Sequence, residues 1–557
     1  MDSYFDLGNH HRPISTTSPA AQIWFDRGLN WTYGFHHDEA VDCFKKVIEH
    51  DPDCAMGYWG LAYALGPYYN MPWNHMGKKQ LKWVLKRTYK YSREAQQRIE
   101  GATSAEKAII NALATRFQGT DIVEDDVFAQ WDTDYANAMR DVYAQFPRDY
   151  DICALTAEAL MCRTPWMLWD LVNRVPAEGS DTAEAIHIIE STFQHIGTVG
   201  ARPHPGLLHF YIHIMEMGPE PEKALPASDT LWKLLPDAGH LVHMPSHIYI
   251  LCGEYEKALQ CNRDAVIADH KYLAYNPIIN KYLIYYLHNV HFQIYAASLL
   301  GQYGSAMQAA EQIIATIPPE ALYHKQQYIV NYVEAYTSMK AHVLVRFGKW
   351  EAIKAEPLPE DQELYCVTTA MWHYAKGLAY AATGDITNAA LQQQLLAEAH
   401  ERIPEERLIY NNMAREILQV GIAMLEGELS YRRGNYDVAF EQLRHTVHLY
   451  DTLNYTEPWA WMQPPRHALG ALLLEQGHVE EATAVYRADL GLDDSLVRPS
   501  QHLNNIWSLQ GYTECLEQAG DTEQAAIFRE KLAAAQAKAD IPVNVSCFCR
   551  QEQHCCG

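Results

Sequence analysis

The chain has 557 residues, with 69 acidic against 44 basic for a formal net charge of −25, and 27 histidines. That charge excludes a polybasic nucleic-acid groove or membrane surface, and 48% hydrophobic residues with 11% aromatics exclude a disordered chain. No apolar run reaches the roughly 18 residues of a membrane span, and Met1-Asp2-Ser3-Tyr4 opens neither a basic nor an apolar leader, so a chain without span or signal peptide is expected.

Length alone suggests about three or four domains, but an internal repeat replaces that expectation. Residues 1–20 read as an N-terminal arm and 21–74 as repeat units. With Ala21 at position 1, Trp24, Gly28, Trp31, Ala40, Phe44 and Pro52 fall at 4, 8, 11, 20, 24 and 32. This is the spacing of large, small and helix-ending residues in the tetratricopeptide repeat, a helix–turn–helix of about 34 residues. A second unit opens at Ala55, followed by the Pro- and aromatic-rich loop Gly66–His75, in which Asn70, Trp73 and His75 are candidates to wall a pocket. Residues 75–200 show no clean register and read as irregular helical hairpins, with helices over 102–117 and 134–146 and punctuation at Asp149–Asp151 and Pro165–Asp170. Trp166 and Trp169 are further pocket candidates, although aromatic residues at such sites commonly serve packing alone.

Residues 201–320 read as repeat units with a histidine-rich groove. Placing Ala224, Ala258 and Ala306 at position 20 brings His209, His243 and His291 to position 5. Position 9 then holds His213, His247 and Tyr295, and position 2 holds Gly206, His240 and His288. Residues three and four apart share a helix face, and in this repeat that face lines the concave side. Neutral imidazoles gathered there need partners and charged ones repel, whereas a transition metal satisfies them together. A single such histidine is usually a satisfied core residue; the shared register is what points to metal. His209, His213, His243 and His247 are the expected inner ligands. His240, His288 and His291 extend the patch, with Glu216 as a carboxylate base and Tyr249 and Tyr295 near the metal.

Residues 321–540 continue the repeat. The turn signature, glycine followed by a small residue a few positions on, recurs at Gly253…Ala258, Gly348…Ala352, Gly384…Ala389, Gly434…Ala439, Gly477…Ala482 and Gly520…Ala525. Pro458-Trp459-Ala460-Trp461 is a further pocket candidate. Of 12 cysteines, eight are scattered through helical segments, the pattern of reduced thiols in a cytoplasmic protein. The other four lie in the tail 541–557, as Cys547, Cys549, Cys555 and Cys556 beside His554, where a frayed end competes with a thiolate metal site. There is no phosphate-binding glycine loop, dinucleotide fingerprint, nucleophile elbow or H-E-x-x-H. The expected fold is all-α: one tetratricopeptide-type solenoid of helical hairpins, a right-handed superhelix without strands.

Taken together, Phe35-His-His-Asp-Glu-Ala40, Asp51–Gly60, His209-Phe-Tyr-Ile-His213, Gly239-His-Leu-Val-His-Met-Pro-Ser-His247 and His288-Asn-Val-His291 resemble a family of large bacterial and fungal tetratricopeptide-repeat proteins of unassigned function. The resemblance implies that these motifs belong together and makes His37 a further ligand candidate. Two functional readings follow. The first is a metal-dependent enzyme with a mononuclear or dinuclear multi-histidine site. Copper or iron there would serve an oxidoreductase or oxygenase acting on a small organic substrate, and zinc a hydrolase. The second is a scaffold gripping a protein or peptide partner in the groove; the stripe carries His, Tyr and Glu, which disfavours a clamp for a C-terminal carboxylate. A metal store or sensor built on the cysteine-rich tail is a third option.

Overall fold

The computed structural model describes residues 4–277, 282–323, 327–409 and 411–550, with side chains omitted at 319, 327 and 328. The chain is an all-α protein of tetratricopeptide type, in which consecutive helices pair as antiparallel hairpins. Its contacts sort into two compact units: residues up to Ile248 with Ile267–Tyr275, and Tyr249–Val266 with the residues from Asn276 on.

The first unit opens with helices Pro19–Tyr33 and His37–His50. Ser18 caps the first by accepting from the Ala21 amide, and Pro19 at its start needs no amide partner. The small–large logic of the repeat is visible at Phe44. Its ring lies where a Cβ on Gly28 would sit 2.8 Å away, and Gly60 of the next hairpin faces the same ring. Two glycines on neighbouring helices thus make the slot that one aromatic ring fills, and the close packing keeps the hairpins in register. Hairpins Ala55–Leu65/Lys78–Gln97, Ser104–Arg116/Asp125–Gln145 and Tyr150–Met161/Thr182–Val199 follow. The helix expected over 134–146 begins earlier, at Asp125, where Glu124, Asp125 and Asp126 set negative charge against the positive helix end. Residues 75–200 are therefore helical hairpins, and their lengths differ.

The second unit repeats the device. Gly470 and Gly511 crowd the Tyr486 ring from helices Pro465–Glu475 and Ile506–Gln518. The turn glycines Gly253, Gly348, Gly384, Gly434, Gly477 and Gly520 all have φ between 60° and 83°, the left-handed cap that ends a helix. Ala258, Ala389, Ala439, Ala482 and Ala525 behind them are fully buried. The unit at Gly348 departs from the reading: Ala352 is exposed and Ile353, five residues after the glycine as in the others, takes the buried place.

Two short antiparallel pairs correct the expectation of a chain without strands: Trp169–Asp170 with Val175–Pro176, and Leu408–Ile409 with Asn412–Met413. The first is turned by the Asp170 carboxylate, which accepts from the Val172 and Asn173 amides at 3.1 and 2.9 Å. The described part of the tail also differs from a frayed end. Val543 and Ser546 are buried, and Cys547 is bonded to Cys549. His554, Cys555 and Cys556 lie outside the described residues.

Candidate metal centre

Helix Pro205–Met215 is capped by His204, whose Nδ1 accepts from the Leu207 amide at 3.2 Å. It carries His209 and His213 one turn apart on one face. Helix Gly239–His243 carries His240 and His243; Pro245 opens a new helix, Pro245–Leu251, which bears His247. One ring nitrogen from each of His209, His213 and His240 lies within 4.8 Å of the other two. Their side chains are buried in the first unit: His209 is 0% exposed, His213 1% and His240 6%.

Hydrogen bonding fixes what two of these rings present. His209 Nδ1 sits 2.6 Å from the Tyr33 carbonyl. A carbonyl only accepts, so Nδ1 carries the proton and Nε2 carries a lone pair. His213 Nδ1 sits 2.9 Å from Glu216 Oε1 and donates to that carboxylate, which again leaves a lone pair on Nε2. Both Nε2 atoms are buried and have no hydrogen-bond partner among the described residues. Two buried lone pairs without donors are costly in a dry interior. A carboxylate or carbonyl behind the outer nitrogen is also the arrangement that orients a metal-binding imidazole.

Glu216, at the end of the same helix, also faces His247, with Oε2 2.5 Å from His247 Nδ1. His247 Nε2 lies 2.9 Å from His243 Nε2, so one of those nitrogens donates to the other. Burial alone would raise the Glu216 carboxyl, but the His247 and His213 imidazoles outweigh it and hold it down at about 2. Burial pushes His209 well below the usual imidazole value, with His213 adding to the effect, and pushes His240 the same way, aided by His209. His213 is lowered by burial against the upward pull of Glu216. These imidazoles are therefore neutral near pH 7, the form that binds metal.

Aromatic rings close the centre. Phe35, in the left-handed region at φ 54°, stacks on His213 and His240 with ring centroids 5.5 and 5.8 Å apart and lies tilted 4.5 Å from His209. Tyr69 and Trp166 cover His213 at 5.1 and 5.9 Å. Behind them, the Tyr33 hydroxyl donates to Asp151 Oδ1 at 2.7 Å, and Asp151 also takes His10, His204 and Arg12. That hub fixes Tyr33, whose carbonyl fixes His209.

The remaining candidates make contacts of their own. His37 Nδ1 lies 2.9 Å from the Ala64 carbonyl, and its ring stacks on Tyr68 at 3.9 Å. Trp73 stacks on Phe128, and Trp169 donates to the Ile214 carbonyl. His288, His291, Tyr249 and Tyr295 belong to the second unit. There His291 Nε2 lies 2.7 Å from Met462 Sδ, and Tyr295 donates to His502 Nε2 at 3.0 Å. Trp459 donates to the Pro499 carbonyl. Sequence reasoning missed Tyr33, whose contribution is a carbonyl common to every residue, and passed over Phe35 as anything but part of a motif. It also missed the Asp489 hub of the second unit, which takes His467, His502, Asn505 and Ser508.

No known protein family matches the chain, and no curated protein does. Among solved structures, the chain is similar to Naa15/Naa10 bound to HypK-THB at 13% identity, covering 92% of this chain and 70% of that one, with a TM-score of 0.22. It is also similar to yeast Tom70 at 11% identity, covering 92% and 99%, with a TM-score of 0.28. No helix among the described residues is long and apolar enough to cross a membrane.

Proposed function

We propose that this chain is a partner-binding helical-repeat protein whose first unit holds one divalent transition-metal ion on His209, His213 and His240. The metal reading is carried by the two buried Nε2 lone pairs, of fixed tautomer and without a donor. Metal–imidazole bonds of about 2.0–2.1 Å are within reach of small ring rotations from this spacing. An all-imidazole set suits zinc, copper or iron rather than magnesium or calcium. Glu216 orients His213 from behind. This role replaces that of a base acting on substrate, since both its oxygens already face imidazoles.

Enclosure supports a scaffold over an oxygenase or hydrolase. Phe35, Tyr69 and Trp166 pack against the ligand rings, and a metal so covered stiffens the repeats rather than meeting a substrate. Stacked helical hairpins are well suited to presenting extended binding surfaces. The untagged protein is expected to contain close to one metal per chain by elemental analysis, and H209A/H213A close to none. Substituted with cobalt, the closed centre should keep its visible spectrum when azide is added. Metal-free wild-type protein would overturn the metal reading, and an azide-shifted spectrum would favour a catalytic site over the scaffold.

A further inference from the structure

The C-terminal segment of the second unit is bound as a peptide ligand is bound. Asp540 accepts from the Tyr303 and Gly304 amides at 2.6 and 2.7 Å, capping helix Tyr303–Thr316 from a distant stretch of chain. Val543 then packs against the Gly301 turn. The Ser546 hydroxyl donates to the His467 carbonyl and pairs with the Tyr486 hydroxyl, while Arg346 donates to the Ser546 carbonyl at 3.3 Å. Phe548 lies edge-on to Trp507 at 5.7 Å over the Gly348 turn. Arg432 donates to the Cys549 carbonyl, and Arg550 pairs with Glu514 at 2.7 and 2.9 Å. From Asp540 to Arg550 the segment therefore touches helices of several hairpins. It makes no regular secondary structure, and two arginines hold its backbone carbonyls. That is how an extended peptide is recognised: main-chain groups give grip and alternate side chains give specificity.

The segment does not fill its site. A pocket of about 40 Å³ lies beside it, lined by Cys547 and Cys549 together with Arg346, Tyr374, Met424 and Trp461. The Trp461 indole N–H and Arg346 Nε–H are buried there without hydrogen-bond partners among the described residues. A side chain that reaches beyond cysteine and ends in an oxygen would enter this space and satisfy a donor. The small Cys547 and Cys549 do neither.

We infer that this surface is a peptide-binding site held by the chain's own segment. Its outside partner is an extended peptide with an aromatic residue at the Phe548 place and a tyrosine-like residue at the Cys547 place. This rests on the partner-binding reading and on none of the metal observations. The tethered segment competes at a high effective concentration, so loosening it exposes the site. The probe is a fluorescent peptide with the sequence of residues 541–550 carrying C547Y and C549S, followed by anisotropy with the full chain. The F548A/R550E chain should bind it about tenfold more tightly than wild type, and W461L added to that chain should remove the gain. Equally weak binding to both chains would overturn the proposal, as would loss of the cooperative melt in F548A/R550E, which would make the segment part of the fold. Tight binding that survives W461L would place the peptide elsewhere on the repeats; this surface then fails while a partner-binding repeat stands.

Discussion

Tyr33 shows how much of the proposed metal centre depends on single atoms. Its carbonyl sets the His209 tautomer, and its hydroxyl is tied to Asp151. Glu216 does the corresponding work for His213. In E216Q one amide must serve two imidazole N–H groups with only one accepting atom, so the orientation of His213 loosens while its donor nitrogen remains. Metal affinity measured by chelator competition should fall about 10- to 100-fold, the usual effect of losing a partner behind a ligand. H209A should lose metal altogether. If E216Q binds as tightly as wild type, the carboxylate does not position the ligand. At this scale the sequence was half legible. His209 and His213 announce themselves by spacing and His240 by register, because side-chain direction on a helix follows from residue number. The Tyr33 carbonyl, 176 residues from His209, leaves no mark in the sequence.

At the scale of the helix, the slot made by Gly28 and Gly60 around Phe44 decides how closely the first hairpins approach. A methyl at position 28 meets the ring, which is itself pinned by Gly60. G28A should therefore cost about 1–3 kcal/mol, the range for overpacking a close-fitting core, read as a lower urea midpoint. The cost should shrink when F44L is added, since neighbouring sites couple; a cost unchanged by F44L would place the strain elsewhere. These slots are why the fold was legible: glycine and aromatic recur at repeat spacing, and spacing is what sequence records. The register at Gly348 was misread because a nearby alanine imitates the pattern, while Ile353 holds the buried position. The C-terminal segment was misread for a different reason. It has no period, and its partners Arg346, Arg432, Tyr486 and Glu514 come from scattered helices.

For the molecule as a whole, buried neutral histidines govern the response to acid. Burial lowers His36, His291 and His342 to about 3, with His342 also depressing His291, and lowers His467 to about 4 despite Asp489. In the unfolded chain they protonate near 6.5. Between those values the unfolded state binds more protons, so stability falls as pH falls. Asp151 and Asp489, held well below the ordinary carboxylate value against the upward push of burial by His10 and His502, add a second loss below about pH 4. The urea midpoint should decline from pH 7 toward pH 4 and more steeply below it, and H342Q should flatten the first decline. A midpoint that is level from pH 7 to 4.5 would contradict neutral burial. Register arithmetic treats all repeats as one stack, whereas the contacts sort His288 and His291 into the second unit.

The distance along the chain between the Tyr33 carbonyl and His209 has a consequence for synthesis. At about 5–20 residues per second, the ribosome delivers His209 roughly 10–35 seconds after Tyr33, for a separation of 176 residues. His240 and His247 follow later still. The nascent first hairpin therefore waits with its contribution to the proposed centre made and the ligands still unborn, and an ion there could be captured only when most of the first unit has emerged.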